Sequence, residues 1–598
     1  MLSQSLKFFA ALLLAVAVTH PVSAQLYPNP QMGGVTVTGT SNLSGPVNSA
    51  ALQPALGITP VKSYGAVGDG VLNGNCTVSL STPKLLSCLN VFPSSAQGKS
   101  IWIRGAGSSG SVLATTISVA TGTTTVTLAA PAQTALSGLS WQEALYGTDD
   151  TSAVQAAIAS LSAGQTLSIP KGRYIISGTL VLDNKVSIAL IGNGNARVAL
   201  DYQNSPQLVY VPTTGSLISA KSAIGLEIGG LGLNYFSDGY TGRLIDFEQG
   251  TGGLTSEVQV HDNAIGGLAG VLKGNTQAGN ADALVYMNLV YDISFVRNVW
   301  TNAQVAIKGP TASISNANSI FIGDKNLFSG GFHYAPIAVM GQMWTISGNT
   351  FEPLDNNVSG GRTCGGITIN TPAGGANTAA VDGLLIQGNT FEDAIYVGNC
   401  IDLEQIGDVS GVEIAGNEFI GGGTAVRFAT IGHTRGLHIA GNHMQSMQLG
   451  VFSYSTGSNV PYHMQIIGNN GLYTPDSTVS FGSYTDPIIL SNITAPITAT
   501  GIHTGGLMLP SGLYRINYYI RSAAYVTGGT SVLSFSWQDP SYVTATVAAT
   551  TLDLTTYPFT DGSVLAMSSG NVDVKYSLAI TGTGTPSINL YIAVERLF

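Results

Sequence analysis

Charged residues are scarce in this sequence, at 9% of 598 residues, whereas ordinary domains contain about 25%. Basic residues are the rarer kind, 22 against 32 acidic ones, so the formal net charge is −10. Nucleic acids and anionic membranes attract basic proteins, and this charge therefore argues against both as partners. Solubility must come from Ser, Thr, Asn and Gln, which are common in turns and on solvated strand faces. The composition favours an all-β protein.

Long apolar runs and closely spaced cysteines are also missing. After residue 18 no stretch reaches the roughly 18 apolar residues that span a bilayer, so no anchor is predicted in the mature chain. The four cysteines form no Cys-x-x-Cys motif, which argues against a zinc site. His438 and His443 are two histidines without a third ligand near them in the sequence. We therefore predict no metal site.

The N-terminus has the pattern of a secretory signal peptide. Lys7 provides a basic segment, residues 8–18 an apolar segment, and residues 22–24 (Val-Ser-Ala) a small-residue cleavage site. We expect residues 1–24 to be removed and the mature protein to be secreted.

A short pattern, apolar-x-apolar-x-x-Asn-x-apolar, recurs along the chain. Clear copies are "WTISGNTF" (344–351), "LLIQGNTF" (384–391) and "VEIAGNEF" (412–419). Apolar residues two positions apart indicate a strand with one buried face, and Gly-Asn indicates a turn. The recurring asparagines are at positions 263, 298, 326, 349, 389, 417, 442 and 469. A spacing near two dozen residues, with insertions, is typical of the rung of a solenoid.

A second family of short strands includes "LIDFEQG" (244–250), "ITINT" (367–371) and "CIDLEQ" (400–405). Several short strands per repeat, with no helical spacing between them, indicate a parallel β-helix. Equivalent residues should then stack in columns, because each rung lies directly on the previous one. We expect the asparagines to form a hydrogen-bonded ladder, and Trp300 and Trp344 to lie in the core.

The start of the repeats resembles a known family. The segments "VKSYGAVGDG" (61–70), "TDDTSAVQAAI" (148–158) and "LSIPKGRYIISGTLVL" (167–182) resemble the opening of pectate-lyase-like proteins. That family includes secreted polysaccharide-cleaving enzymes and phage tailspikes. The resemblance implies a right-handed parallel β-helix with an N-terminal capping helix, but it is weak evidence for a reaction because one fold hosts many chemistries.

The capping helix should follow residue 150, where Val154, Ala157, Ile158 and Leu161 share one helical face. The three carboxylates of the opening motif are interpreted as turn and cap residues rather than as catalytic groups. They are Asp69, Asp149 and Asp150.

The chain divides into five predicted segments. They are the signal peptide (1–24), an N-terminal stem or linker (25–60), the parallel β-helix (61–485), a β-rich insertion within it (71–147), and a C-terminal domain (486–598). The last segment alternates as antiparallel strands do, and it resembles the jelly-roll-like sandwiches of phage tailspikes. That resemblance implies a trimerisation or carbohydrate-binding domain and a homotrimer.

Export permits disulfides, and the register places Cys364 and Cys400 on adjacent rungs. We expect the pairs Cys76–Cys88 and Cys364–Cys400.

Long polymers bind β-helices along the outer strand faces, so outward side chains are the candidates for chemistry. In "CIDLEQ", Asp402 and Glu404 should point outward, with Cα atoms about 6.6 Å apart. This is compatible with the roughly 6.5–9.5 Å carboxyl separation of inverting glycosidases. Outward residues of the neighbouring rungs are Thr368, Asn370 and Arg427. We interpret Asn370 and Arg427 as substrate-binding residues.

Further candidates lie on other outward columns. Glu352 and Glu392 each follow a "GNTF" turn and form a second catalytic pair. Asp246 and Glu248 occupy the positions in "LIDFEQ" that Asp402 and Glu404 occupy in "CIDLEQ". They are candidates for a third catalytic carboxylate pair or for substrate binding. Tyr396 is a candidate for stacking on a sugar ring.

A lyase would instead need a base, and Ca²⁺ or basic side chains to neutralise a uronic acid. Lys308, His333 and Arg427 are available, but basic residues are few, and a polyanionic substrate would prefer a basic groove. The sequence therefore favours a secreted glycoside hydrolase that needs no cofactor and cleaves a long polysaccharide. A non-catalytic carbohydrate-binding or adhesin-like protein and a phage receptor-binding protein stay open as alternatives.

Overall fold

A computed structural model of the chain describes residues 57–596 with several gaps. The gaps are residues 193–204, 269–280, 311–316, 354–363, 370–380, 393–398, 404–408, 421–423, 428–433, 446–448, 452–464, 468, 472–487, 493–500, 508–511, 525–526, 540, 542, 557–558 and 570–573. The candidates Asn370, Tyr396 and Glu404 and the signal peptide lie outside the described residues. For Cys364 and Arg427 only the backbone is described.

Three parallel sheets form the body of the molecule, and the chain visits them in turn, so that each circuit is one rung. The first sheet consists of Ile58–Pro60, Thr166–Ile169, Ala189–Gly192, Glu227–Gly229, Thr255–His261, Val290–Val296, Ala317–Gly323, Gln342–Ser347, Val381–Gln387, Val409–Ala415, Thr434–Ala440 and Gln465–Ile467.

The second sheet consists of Gly172–Ile176, Pro206–Tyr210, Gly232–Tyr235, Ala264–Gly267, Val299–Thr301, Leu327–Gly330, Thr350–Pro353, Thr390–Glu392, Glu418–Ile420, His443–Gln445 and Asn470–Gly471. The third consists of Leu180–Val181, Ser216–Lys221, Arg243–Glu248, Ala283–Asn288, Ala303–Lys308, Phe332–Ala338, Cys364–Thr368, Asn399–Asp402, Thr424–Arg427 and Leu449–Val451. The predicted parallel β-helix is confirmed. Its first strand starts at Ile58, slightly before the predicted boundary.

The N-terminal end of the β-helix is covered by the helix Thr151–Ser160, whose Val154, Ala157 and Ile158 are buried in the core. The predicted capping helix is therefore confirmed. Short 3-10 turns lie at Val61–Tyr64, Ser94–Ala96 and Ser108–Gly110. Among the described residues, no helix is long and apolar enough to cross a membrane.

The two halves of the opening motif are joined by their carboxylates. Asp150 accepts hydrogen bonds from the backbone N–H groups of Val67 (2.6 Å) and Gly68 (3.0 Å). Asp69 accepts one from the N–H of Thr148 (2.8 Å). Asp69 also accepts a hydrogen bond from Lys99 Nζ at 2.8 Å. Asp69 and Asp150 thus hold the turn to the start of the helix, which supports their interpretation as architectural residues.

Residues 71–147 leave and re-enter the β-helix as paired antiparallel strands, since Val71 lies opposite Tyr146. They form an eight-stranded antiparallel sheet in the order Val71–Asn73, Ala144–Gly147, Ser100–Ile103, Leu113–Ala120, Thr125–Leu128, Leu85–Ser87, Thr77–Val78 and Leu136–Ser137. A disulfide joins Cys76 to Cys88 within this segment.

The C-terminal region forms two antiparallel sheets. One consists of Ile488–Asn492, Ser587–Arg596, Gly512–Ala524 and Phe559–Ser568, and the other of Gly501–Leu507, Val574–Ile580, Thr530–Gln538 and Thr544–Asp553. Side chains of both sheets, such as Ile516 and Phe535, lie in one buried cluster, as in a sandwich.

The predicted asparagine ladder is confirmed over eight rungs. The Nδ2 of each asparagine donates to the Oδ1 of the next, at 2.8–3.2 Å from Asn263 through to Asn469. In six of these seven pairs the same Oδ1 also accepts a hydrogen bond from the backbone N–H of the preceding asparagine. The ladder satisfies polar groups that burial would otherwise leave unpaired.

A column of stacked aromatic rings runs beside the ladder. The rings of Trp300, Phe328, Phe351, Phe391 and Phe419 follow one another at 4.6–5.8 Å, nearly parallel. Trp300 and Trp344 are fully buried, so their predicted core positions are confirmed.

The residue before each of the first seven ladder asparagines has a left-handed backbone. It is glycine at positions 348, 388, 416 and 441, but Asp262, Arg297 and Lys325 occupy it in earlier rungs. A side chain there costs about 1–2 kcal/mol. Arg297 makes two-point contact with Asp262 and also contacts Asp324, which offsets part of that cost.

His261 lies next to this corner, between two carboxylates. Its Nε2 is 2.8 Å from Glu227 Oε1 and its Nδ1 is 2.9 Å from Asp262 Oδ2. Only the doubly protonated ring donates from both nitrogens. Burial by itself lowers the pKa of His261, but the hydrogen bonds to Glu227 and Asp262 outweigh it and raise the pKa above its usual value.

We expect His261 to make the stability of the β-helix depend on pH. Because the pKa of His261 is raised in the folded protein, the stabilisation is complete below the pKa of a histidine in the unfolded chain, about 6.5. It is lost as the pH rises through the pKa of His261 in the folded protein. His261→Gln should cost roughly 1.5–3 kcal/mol at pH 6, because charge-assisted hydrogen bonds are lost, and less at pH 9. Denaturant unfolding at both pH values measures this, with the exposed His443→Gln as the control. Equal losses for His261→Gln at the two pH values would contradict it.

Candidate functional site

An outward column of residues runs along the third sheet. The backbone register places the following residues side by side on successive strands: Ser219, Asp246, Tyr286, Lys308, Ala338, Thr368, Asp402 and Arg427. The expected alignment of Thr368, Asp402 and Arg427 is thereby confirmed. At about 4.8 Å per strand, Asp246 and Asp402 lie five strands, or roughly 24 Å, apart.

Around Asp246, seven charged or polar side chains come together, which we call the Arg243 cluster. Its members are Lys221, Arg243, Asp246, Glu248, Asp282, Tyr286 and Lys308. Ile245 and Phe247 are fully buried, so strand alternation turns Asp246 and Glu248 outward. The cluster thus follows from the local pattern of this strand.

Arg243 holds three carboxylates at once. Its Nη1 is 3.3 Å from Asp246 Oδ1 and 3.7 Å from Glu248 Oε1, and its Nε is 3.2 Å from Asp282 Oδ2. Asp246 and Glu248 therefore share a single guanidinium nitrogen. Their side chains are 17% and 21% exposed, so a ligand on the face can reach both.

The two lysines of the cluster and one neighbouring hydroxyl contact its carboxylates. Lys221 Nζ lies 2.9 Å from Glu248 Oε2, and Lys308 Nζ lies 2.7 Å from Asp282 Oδ1. The hydroxyl of Ser216 donates to Asp246 Oδ2 at 3.2 Å. All three cations of the cluster are engaged with its own carboxylates.

The environment changes the protonation of Asp246 and Tyr286. Burial raises the pKa of Asp246, and the neighbouring charge of Glu248 adds to this, although Arg243 opposes it. The guanidinium carbon of Arg243 lies 3.5 Å from the ring centroid of Tyr286, and burial raises the pKa of the Tyr286 phenol. Asp246 therefore keeps its proton to a higher pH than an ordinary aspartate does, and Tyr286 is harder to ionise.

At the other end of the column, Asp402 is almost completely buried, at 1% exposure. The register agrees with the outward direction predicted for Asp402, but its side chain is not accessible to solvent. Thr368, next to it in the column, is equally buried, so this stretch of the outer face is covered. The side chains of Glu404 and Arg427 lie outside the described part, so their roles stay predictions.

Glu352 and Glu392 lie on the second sheet and not on the face of Asp402. They follow Phe351 and Phe391, which are paired and stacked at 4.6 Å, so they share one outward column. Glu392 is exposed and Glu352 is half-buried. The structure thus brings this pair together but keeps it apart from the Asp402 column.

Several aromatic residues that could have lined a groove lie inside the protein. Tyr235 and Tyr240 are fully buried, and Tyr334 is 7% exposed. The Tyr235 hydroxyl donates to the carbonyl of Asn302 and that of Tyr240 to Gly215. These tyrosines are structural.

Four members of the Arg243 cluster were missed by the sequence reasoning: Lys221, Arg243, Asp282 and Tyr286. Aligning "RLIDFE" (243–248) with "ALVYMN" (283–288) by their inward residues would have placed Tyr286 beside Asp246. The position of Asp282, which precedes its strand, has no comparable signal.

The second predicted disulfide stays a prediction. Cys400 is buried, and the register places Cys364 opposite Asn399, one residue from Cys400. The side chain of Cys364 lies outside the described part.

No family model and no curated protein matches the chain. Among solved structures it is similar to the enzymatically active domain of tailspike protein 4 of bacteriophage CBA120, at 9% identity over 90% of this chain and 77% of that one (TM-score 0.36). It is similar to the tailspike protein gp49 of Pseudomonas phage LKA1, at 12% identity over 89% and 83% (TM-score 0.33). It is also similar to the DFA-IIIase of Arthrobacter chlorophenolicus A6, at 11% identity over 55% and 96% (TM-score 0.30). At these identities no site residue carries over.

Proposed function

We propose that this protein binds a long polysaccharide along the outer face of the third sheet and cleaves its glycosidic bonds by hydrolysis. The observation that supports this is the Arg243 cluster, in which the side chains of Asp246 and Glu248 are 17% and 21% exposed on that face. The accessible carboxylates therefore lie near the N-terminal end of the column, since Thr368 and Asp402 further along it are buried.

The Arg243 cluster supplies the chemistry in this proposal. Asp246 is the general acid that protonates the leaving oxygen, because its raised pKa favours the protonated form. Glu248, two residues along the same strand, is the base that activates water. Glycoside hydrolases use two carboxyl groups in these roles.

Hydrolysis is favoured over β-elimination by the state of the cations. A lyase must neutralise a uronic acid, but Lys221, Arg243 and Lys308 already contact carboxylates of the cluster. The raised pKa of Tyr286 also disfavours a phenolate base. We therefore propose that no cofactor is needed, and that Ca²⁺ would matter only for a lyase.

Asp402 with Glu404 is the second candidate for the catalytic pair, and Glu352 with Glu392 the third. Asn370, Arg427 and Tyr396 would bind substrate near Asp402.

A non-catalytic carbohydrate-binding role has one observation in its favour. Every carboxylate of the Arg243 cluster is ion-paired, an arrangement that also suits a static binding face. The adhesin-like and receptor-binding alternatives share this face.

One assay separates these functions. The protein is incubated with a panel of bacterial and plant polysaccharides, and new reducing ends and the ultraviolet absorbance of unsaturated ends are both measured. We expect reducing ends without unsaturated ends, and no effect of a chelator. Unsaturated ends would indicate a lyase, and binding without any new ends a carbohydrate-binding protein.

We further propose that the mature protein is secreted and is a homotrimer. The signal-peptide pattern supports the first statement and the resemblance of the C-terminal sandwich supports the second. Light scattering on the exported protein should give three chain masses, and a single chain mass would contradict the trimer.

A further inference from the structure

Three aromatic side chains lie together on the outer face of the C-terminal sheet that contains the strand Gly512–Ala524. Ile520 on this strand is fully buried, so strand alternation turns Tyr519 outward. The ring centroid of Tyr519 lies 6.3 Å from that of Phe559 and 5.9 Å from that of Tyr591, on the two flanking strands. Phe559 is 67% exposed and Tyr591 is 41% exposed. We call these three side chains the aromatic platform, and such an exposed group of rings indicates a binding surface.

Polar groups surround the platform and are available to a ligand. Arg521 is exposed and lies opposite both Phe559 and Asn589 in the register. Among the described residues, none forms an ion pair with Arg521 or a hydrogen bond with the side chain of Asn589, and the same holds for the hydroxyls of Tyr519 and Tyr591. Ligand sites combine aromatic surface with a few polar groups that fix orientation. Sugars match both parts, because their C–H faces pack on rings and their hydroxyls form hydrogen bonds.

The platform is too small for a stable contact between proteins. Its three side chains present roughly 200–300 Å² of accessible aromatic surface, whereas a stable interface takes about 800 Å² from each partner. Leu565 and Met567 are also exposed on the same face. The row formed by Asn517, Ser563 and Ala593 separates them from the rings. The apolar surface is therefore interrupted, and it suits a short run of sugar units better than a second copy of the chain.

We propose that the aromatic platform is a second polysaccharide-binding site, separate from the Arg243 cluster. Sugar rings stack on its three side chains, and sugar hydroxyls form hydrogen bonds with Arg521 and Asn589. The site binds without cleaving, and it rests on the proposed function only in taking the same polymer as its ligand. A polymer that occupies both sites dissociates more slowly than one held at a single site, because the second contact is intramolecular.

Two double variants separate stacking from other roles of these side chains. Phe559→Ala with Tyr591→Ala removes two rings, and Phe559→Tyr with Tyr591→Phe keeps both. The matched control is Leu565→Ala, which is 58% exposed on the same strand and face as Phe559. The probes are a glucan, a galactan, a mannan, pectate and alginate, each cast into a native gel through which the full chain migrates.

We expect at least one of these polymers to retard the wild-type protein. Removing the two rings should raise its dissociation constant about tenfold, as the loss of two stacked contacts predicts. The variant that keeps both rings and Leu565→Ala should bind as the wild type does. The ring-free variant should keep its melting temperature, its mass by light scattering, and its kcat on a short oligosaccharide of the same polymer.

Three results would overturn the inference and leave the proposed function intact. They are an unchanged dissociation constant in the folded ring-free variant, an equal loss of binding in the variant that keeps both rings, and a lower oligomeric mass of the ring-free variant, which would show a contact between copies. If no polymer retards the wild-type protein while reducing ends are still released, the platform site alone fails. Ring-dependent binding without any cleavage would support the platform site and contradict the proposed hydrolysis.

Discussion

Asp246→Asn should lower kcat for the polysaccharide substrate by about 10²–10⁴-fold and change KM little. Asparagine has nearly the shape of aspartate and can still contact Arg243, but it has no acidic proton to give to the leaving oxygen. The ion pairs of Arg243 with Glu248 and Asp282 remain, so the fold should be retained. Initial rates and thermal unfolding measure the two effects separately.

The pH profile of kcat gives an independent readout. A general acid must be protonated, so activity should fall as the pH rises through the pKa of Asp246, which burial raises above its usual value. The control is Asp292→Asn, an exposed position on the first sheet with a left-handed backbone, which asparagine tolerates. It should keep full activity.

Asp402→Asn tests the competing site. If Asp246→Asn cleaves normally while Asp402→Asn or Glu404→Gln does not, the acid lies at the Asp402 end of the face and our assignment is wrong. If all three variants cleave normally, neither pair is catalytic and Glu352 and Glu392 become the carboxylates to test.

Glu143→Ala should destabilise the protein by about 1.5–3 kcal/mol, because Arg104 loses its charge-assisted hydrogen bond to Glu143 and keeps Asp238 Oδ1, at 3.7 Å, as a further carboxylate partner. Arg104, in the insertion, is completely buried, and its Nη1 lies 2.6 Å from Glu143 Oε2. Its Nε donates to the carbonyl of Phe236 in the β-helix, and its guanidinium lies 4.5 Å from the ring of Phe236. Arg104 therefore joins the insertion to the β-helix, and Glu143, which is also in the insertion, balances its charge. Denaturant unfolding measures the loss of this pair.

The matched control is the double variant Arg104→Met with Glu143→Leu. Replacing both ions by apolar side chains removes the buried charges, and Asp238, whose side chain is 21% exposed, can remain solvated, so most of the stability should return. A double variant as unstable as Glu143→Ala would show that packing and not charge holds the interface. Full stability of Glu143→Ala would contradict the role of the pair altogether.

The same pair should make stability depend on pH. Burial raises the pKa of Glu143 to about 6, although Arg104 opposes the rise. Because the pKa of Glu143 is higher in the folded than in the unfolded protein, its protonation stabilises the fold. This stabilisation is complete below the pKa of an unfolded-state glutamate, about 4.3, and is lost as the pH rises through about 6. Glu143→Gln should abolish that part of the pH dependence.

The sequence alone determined the scaffold. The repeat predicts the asparagine ladder, the glycines before it and the core positions of Trp300 and Trp344. It does so because the nearby sequence alone determines whether a side chain of the repeat points inward or outward. A strand alternates every second residue, and a solenoid repeats the same environment in each rung. The capping helix and the alternating C-terminal strands were predictable for the same reason.

Only the tertiary structure decided which outward groups meet and which are covered. Asp246 and Asp402 occupy equivalent positions of two similar sequence motifs. The side chain of Asp246 is 17% exposed and lies in a charged cluster, whereas Asp402 is 1% exposed. The pairing of Arg104 with Glu143 and with Phe236 joins segments 39 and 132 residues apart. Alternation gives the direction of a side chain, but its neighbours depend on the lengths and paths of the loops between strands, which no local pattern encodes.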